Sequence, residues 1–251
     1  MDVGVTGHAG TVPMGLPDHV TACLFDLDGV LTDTAAVHRA AWAATFDPVL
    51  KAHDQDPFTQ DDYDEYVDGK PRLDGVRDFL AARGLNVPEG ADGDPPDAET
   101  VHGIAARKNR DVLNRIKTQG VEVFAGSRRY LEAAAAAGLR RVVVSSSANT
   151  GEVLDVTGLA ELIEGRVDGV TIKQLGIPGK PAPDSFLEGA KRAGVDPAAA
   201  AVFEDATSGV EAGQRGKFGF VVGVNRLDDH HAQALRDHGA DVVVTDLADL
   251  L

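Results

Sequence analysis

The chain holds a single cysteine, Cys23, which excludes an intramolecular disulfide, and no Cys/His spacing suggests a zinc site. A reducing cytoplasm is therefore the expected compartment. No apolar run approaches the roughly 20 residues needed to cross a bilayer. Residues 1–17 lack the basic start and continuous apolar stretch of a secretion signal, and read as a flexible tail punctuated by Gly and Pro. Basic residues are scarce too: 24 Lys and Arg stand against 40 Asp and Glu, a net charge of −16. Such an acidic chain repels a phosphate backbone or an anionic membrane at long range, so neither nucleic acid nor a membrane is the expected partner. Internal repeats are absent, and low complexity is confined to the alanine run 133–137. What is present is ordinary for a folded, soluble protein: 251 residues, 43% apolar and 25% charged, enough for one large domain or two small ones.

Short apolar runs at 21–28, 140–146, 200–205 and 218–224, with a fifth at 240–245, read as buried strands. Helical patterns such as 128–137 and 184–193 separate them. Strands apolar on both faces that alternate with helices predict a doubly wound parallel α/β sheet covered on both sides. More than one crossover helix lies between the first two strands. The patterns at 38–46, 73–83 and 101–117 predict an inserted helical cap over 36–120, leaving 18–35 and 121–251 for the core. Linkers are expected near 34–37 and 119–124. The Gly-, Pro- and Asp-rich stretch 84–97 reads as an exposed loop of the cap.

Ligands of open α/β sheets bind outside the carboxyl ends of the strands, and the polar residues gather there. The first strand ends in Asp26-Leu27-Asp28-Gly29, the second in Ser145-Ser146-Ser147, the next in Glu204-Asp205. Converging carboxylates repel one another, so either some are protonated or a hard cation sits among them, with Mg²⁺ the best match. Alternatively, Asp26 and Asp28 cap a turn and Glu204-Asp205 caps the next helix. Lys180, between Gly179 and Pro181 before a predicted helix, reads either as a charge aimed into the crevice or as an exposed loop lysine. Trp42 reads as cap core, Cys23 as a buried small hydrophobe, and His230-His231 as surface.

Taken together these residues resemble the haloacid dehalogenase superfamily of phosphotransferases. Its first motif is matched by Asp26-Leu27-Asp28-Gly29-Val30-Leu31-Thr32-Asp33-Thr34, its second by Ser145, its third by Lys180, its fourth by Glu204-Asp205. The run from Phe25 to Thr34, with His38 and Trp42 beyond it, is similar to the β-phosphoglucomutase family within that superfamily. So are Val67-Asp68-Gly69-Lys70-Pro71-Arg72, Arg107-Lys108-Asn109 and the run from Glu204 to Val210.

The resemblance implies Asp26 as nucleophile and Asp28 as general acid and base. It implies Mg²⁺ held by Asp26, the backbone carbonyl of Asp28, Glu204 and Asp205. Ser145, Ser146, Asn149 and Lys180 would hold the transferring phosphate, Arg72 and Lys108 from the cap the second phosphate, and Thr34 and His38 would serve the hinge. The implied activity is interconversion of β-glucose 1-phosphate and glucose 6-phosphate through a bisphosphate, by a cytoplasmic monomer acting on small sugar phosphates. A sugar-phosphate phosphatase on the same scaffold is the alternative. A non-catalytic phosphoacceptor module fits less well, given the cap and the second aspartate.

Overall fold

The structure is a computed structural model and describes residues 14–68 and 70–251. Its strands are β1 (Ala22–Phe25), β2 (Thr32–Asp33), β3 (Glu122–Val123), β4 (Arg140–Val144), β5 (Gly165–Val167), β6 (Ala200–Glu204), β7 (Phe220–Val224) and β8 (Val242–Val244). Six of them form one sheet in the order β5-β4-β1-β6-β7-β8, with every neighbouring pair parallel. β1 lies central, with Phe25 beside Val143 on one side and Phe203 on the other. All four of its residues are buried, because helices cover both faces and alternate side chains feed two apolar layers. Cys23, Phe25, Val143 and Phe203 belong to one layer, Leu24, Val142, Val202 and Phe186 to the other. The doubly wound parallel sheet is as expected, with one strand more. β5 is three residues long and contains Gly165 and Arg166, so at the sheet's edge it carries no apolar run to betray it.

The helices are α1 (Ala35–Ala52), α2 (Gln60–Asp62), α3 (Arg72–Ala82), α4 (Val101–Gln119), α5 (Ala125–Ala136), α6 (Thr150–Thr157), α7 (Gly169–Leu175), α8 (Asp184–Ala193), α9 (Thr207–Arg215) and α10 (Asp229–Asp237). Those from α1 to α4 form the insert between β2 and β3. They bury an apolar cluster of their own, including Trp42, Phe46, Phe79 and Ile104, while Ala41 of α1 and Val112 and Ile116 of α4 join the core cluster of the sheet. α1 runs through Pro48 to Ala52, longer than its apolar pattern, since Val49 and Leu50 beyond the proline are buried. A single π-turn, Tyr63–Val67, follows α2. The chain enters and leaves the insert through a two-stranded antiparallel ribbon in which Thr32 faces Val123 and Asp33 faces Glu122.

The tail read over 1–17 ends earlier than expected. Met14 is buried in the core, its carbonyl accepts from the Tyr130 hydroxyl at 2.9 Å, and Gly15 fits against Leu250. Residues 1–13 of that tail, like Gly69 of the cap turn, lie outside the described residues.

Candidate active site

β1 delivers Asp26 to the carboxyl edge, where its amide donates to the Phe203 carbonyl at 2.9 Å and its side chain is nearly sealed from solvent. Three residues on, the chain must turn sharply. Gly29 does so at a φ of +80°, and any Cβ there would meet the Asp205 carboxylate at 1.8 Å. The glycine is thus required twice, for its backbone angle and for close approach to the second acidic strand end.

Lys180 is the hub of the core side. Its ammonium donates to Asp26 Oδ1 at 2.5 Å, to Glu204 Oε1 at 2.5 Å and to the Val144 carbonyl at 3.1 Å, and it lies 4.8 Å from the Phe186 ring centre. The loop-lysine alternative is therefore excluded. Asp26 and Glu204 hold the lysine's proton well above its ordinary range against the opposing effect of burial. Burial pushes the Asp26 carboxyl up, with Lys180 pulling it down and the charges of Glu204 and Asp28 adding to the rise. Asp205 is raised for the same reasons, burial first and then Glu204 and Asp26.

Asp26, Asp28, Glu204 and Asp205 lie near enough to act on one another while Lys180 bonds only Asp26 and Glu204 among them, a surplus of hard oxygen donors that suits Mg²⁺. Asp26, the turn after Asp28, and Asp205 face the same space. Glu204, expected as a ligand, is held in place by two neighbours. Its Oε1 accepts from Lys180 and its Oε2 from the Ala206 amide at 2.9 Å, which leaves a lone pair on each oxygen for a cation. Among the described residues, no three acidic or histidine side chains already converge as a metal cage.

Asp28 faces the insert. Its Oδ1 accepts from the Thr34 hydroxyl, Ser145 Oγ stands 3.5 Å from its Oδ2, and burial raises its pKa against these partners and the charges of Lys108 and Lys180. His38 Nε2 lies 3.9 Å from Asp28 Oδ1, and Lys108 Nζ from the insert lies 2.8 Å from His38 Nδ1. Burial and the nearby Lys108 and Arg72 charges hold His38 well below its ordinary pKa. The ring is therefore neutral, with Nδ1 turned to Lys108 and Nε2 to Asp28. Lys108 itself is brought down to about 7 by burial and by Arg72, with its ammonium 4.7 Å from the centre of the Trp42 ring. Arg72 donates to the Asn109 side chain and has no carboxylate within ion-pair distance among the described residues.

The remaining expected residues lie around this cleft. Ser145 is buried and accepts from the Ser147 amide at 3.0 Å. Ser146 is half-buried beside it, and Asn149 is buried at the start of α6. An open hollow of about 590 Å³, lined by Leu113, Asn149, Arg166 and Asp168 among others, meets the site only at Asn149. Three residues escaped the sequence reading. His231 is half-buried rather than surface: its Nδ1 lies 3.0 Å from Asn225 Oδ1 and its ring bonds the Asp205 backbone. Arg226 reaches the Gly29 carbonyl at 2.7 Å. Tyr63 is buried on the π-turn, where its hydroxyl bonds Asp68. The only signal for the first two was their position just past the apolar run ending at Val224.

Residues 20–217 match the family described as haloacid dehalogenase-like hydrolases. The chain is 56% identical over 249 residues, 95% of its length and 94% of the relative's, to a protein of Mycobacterium tuberculosis (strain CDC 1551 / Oshkosh) named β-phosphoglucomutase. It is 31% identical over 230 residues to the β-phosphoglucomutase of Bacillus subtilis (strain 168), covering 91% of each chain. Among solved structures, the β-phosphoglucomutase of Clostridium difficile superposes with a TM-score of 0.74 at 25% identity, covering 92% of this chain and 93% of that one.

Proposed function

The chain belongs to the haloacid dehalogenase-like hydrolase family, and within it we propose that the protein is a β-phosphoglucomutase, interconverting β-glucose 1-phosphate and glucose 6-phosphate through a bisphosphate. One observation carries this beyond family membership. The insert brings cations into the same cleft as the catalytic carboxylates, with Lys108 2.8 Å from His38 and His38 3.9 Å from Asp28, and Arg72 close enough for its charge to act on both Lys108 and His38. A mutase must hold a second, non-reacting phosphate opposite the nucleophile, and hydrolysis of a simple ester needs no such site.

In this reading Asp26 attacks phosphorus, forming an aspartyl phosphate, while Asp28 gives its proton to the departing sugar oxygen. The free hydroxyl of a sugar monophosphate attacks that aspartyl phosphate while Asp28 takes up its proton, and the bisphosphate so formed turns end for end to present its other phosphate to Asp26. The raised pKa of Asp28 suits a group that must carry a proton near neutrality. Thr34 holds one oxygen of Asp28, which fixes the face it presents. Lys180 pairs with the nucleophile and would follow the negative charge onto the phosphoryl oxygens. Arg72 and Lys108 would bind the distal phosphate, and Ser145, Ser146 and Asn149 would surround the transferring one. Mg²⁺, held by Asp26, the Asp28 carbonyl and Asp205, would neutralise charge on the transferring phosphoryl group. The same reading makes the protein a cytoplasmic monomer acting on small sugar phosphates; among the described residues, no helix is long and apolar enough to cross a membrane.

Phosphorus NMR of the protein with β-glucose 1-phosphate, Mg²⁺ and a trace of bisphosphate tests the assignment. Glucose 6-phosphate as product supports it, and free phosphate as the main product replaces it with a phosphatase.

A further inference from the structure

We infer that Arg226, in the loop between β7 and α10, is a positioning residue that locks the turn carrying Asp28 to the linker returning from the insert. The inference builds on the phosphomutase reading, in which Asp28 must keep its place while the insert opens and closes.

Every nitrogen of the guanidinium is directed at a backbone carbonyl. Nε donates to Gly29 at 2.7 Å, Nη1 to Thr245 at 2.8 Å and Nη2 to Val30 at 3.3 Å. The flat face of the group lies over Phe124, with Cζ 3.6 Å from the ring centre. Phe124 is the residue that follows β3 and precedes α5, and its amide donates to the Leu31 carbonyl at 3.1 Å. Ser127, one turn into α5, donates to the same Val30 carbonyl at 2.7 Å. Three segments far apart in sequence therefore meet on one side chain: the turn after Asp28, the exit of the insert, and the end of β8.

Charge does not explain the arrangement. Asp246, Asp205 and Asp33 are near enough to act on the guanidinium, yet among the described residues none is within ion-pair distance of it. A cation among carboxylates that spends its donors on carbonyls is being used for its shape. The planar fork fixes directions, which a lysine's single rotatable ammonium cannot do. Gly29 shows why direction matters, since its α-carbon is packed so closely on Asp205 that a Cβ would lie 1.8 Å from the carboxylate. A small swing of the 29–30 peptide moves the Asp28 backbone on one side and pushes on Asp205 on the other. The mobile part of the hinge then lies beyond this knot, in the ribbon of β2 and β3 and at Thr34.

The test compares Arg226→Met, which keeps the stem and loses the fork, with Arg226→Lys and with Phe124→Leu, which removes only the ring. For each folded variant, kcat and KM are measured with β-glucose 1-phosphate and bisphosphate, alongside the thermal midpoint and the fluorescence of the single tryptophan, Trp42, on adding glucose 6-phosphate. The expected result for Arg226→Met is a kcat at least about tenfold lower with KM within about threefold of wild type. Arg226→Lys and Phe124→Leu should fall between it and wild type, and the Trp42 response should persist, because the substrate still closes the insert. A folded Arg226→Met with kcat within about twofold of wild type overturns the inference. So does a set of variants whose kcat loss merely follows the fall in thermal midpoint. If wild type releases phosphate instead of isomerising the sugar, the mutase assignment fails, and the same kcat comparison on hydrolysis still decides the role of Arg226.

Discussion

Asp26 and Asp28 are two residues apart, and the proposed mechanism needs them in opposite protonation, one bare to attack and one loaded to donate. The structure separates them by their partners: Lys180 sits 2.5 Å from Asp26, while Asp28 is met by Thr34, Ser145 and the neutral His38. Asp26→Asn should lower kcat by more than about a hundredfold, since an amide does not attack phosphorus. Asp28→Asn should lose sugar-to-sugar transfer while still accepting phosphate on Asp26 from a small acyl phosphate, whose leaving group needs no proton. Mass spectrometry for the phosphoryl adduct checks the second outcome, and near-wild-type mutase turnover would remove the acid and base role. Lys108 offers a pH test. Its amine titrates at about 7 in the folded protein against a reference of 10.5. Between those values the unfolded chain binds the proton and the folded one does not, so this group makes stability rise with pH across the window and opposes folding fully below it. Lys108→Met should therefore stabilise the ligand-free protein more at about pH 6 than at about pH 10, read from urea midpoints. The reverse order would mean the amine is not buried uncharged.

At the scale of elements, periodicity and punctuation revealed what local patterns can carry. The helix expected at 184–193 is α8, and the run at 101–117 is α4 extended to Gln119, because each has its apolar face and its start signal in sequence. β2 and β3 were missed, two residues each and held by partners some ninety positions apart, since pairing of that range leaves no local trace. The π-turn escaped for a related reason. The tether of the 84–97 loop was also hidden in a single residue: Thr100 Oγ1 accepts from the Gly103 amide at 3.0 Å as the α4 cap and donates to Asp94 at 2.6 Å. Thr100→Ala should cost about 1 kcal/mol, the usual value of a lost cap, visible as a lower urea midpoint with mutase kcat unchanged. Site residues followed the same division. Asp26, Asp28 and the Glu204-Asp205 pair announce themselves at strand ends and Lys180 just before a helix, whereas the bonding of Glu204 to Lys180 and Ala206, and the roles of Arg226 and His231, depend on which loops meet.

For the molecule as a whole, the insert is the part that must separate a mutase from a hydrolase. The protein carries a net charge of −16, so an anionic sugar bisphosphate is held only where cations are concentrated, and the cleft between insert and sheet is such a place. Arg72 is partly buried, lowered in pKa by that burial alone, and bonded only to the neutral Asn109 side chain among its hydrogen bonds described. Burying a guanidinium without a carboxylate costs stability, and a phosphate bound there would offset that cost. Arg72→Ala should therefore leave the fold intact and weaken bisphosphate binding. Mutase turnover should fall by at least about tenfold, because remote binding energy is what closes the insert and aligns the accepting hydroxyl. Hydrolysis of a small phosphate ester that never touches the insert should change little. The measurement is the ratio of mutase to esterase rates in wild type and Arg72→Ala, with and without added bisphosphate. A ratio unchanged by the substitution would place the second phosphate elsewhere and take from the insert its part in choosing between transfer to sugar and transfer to water.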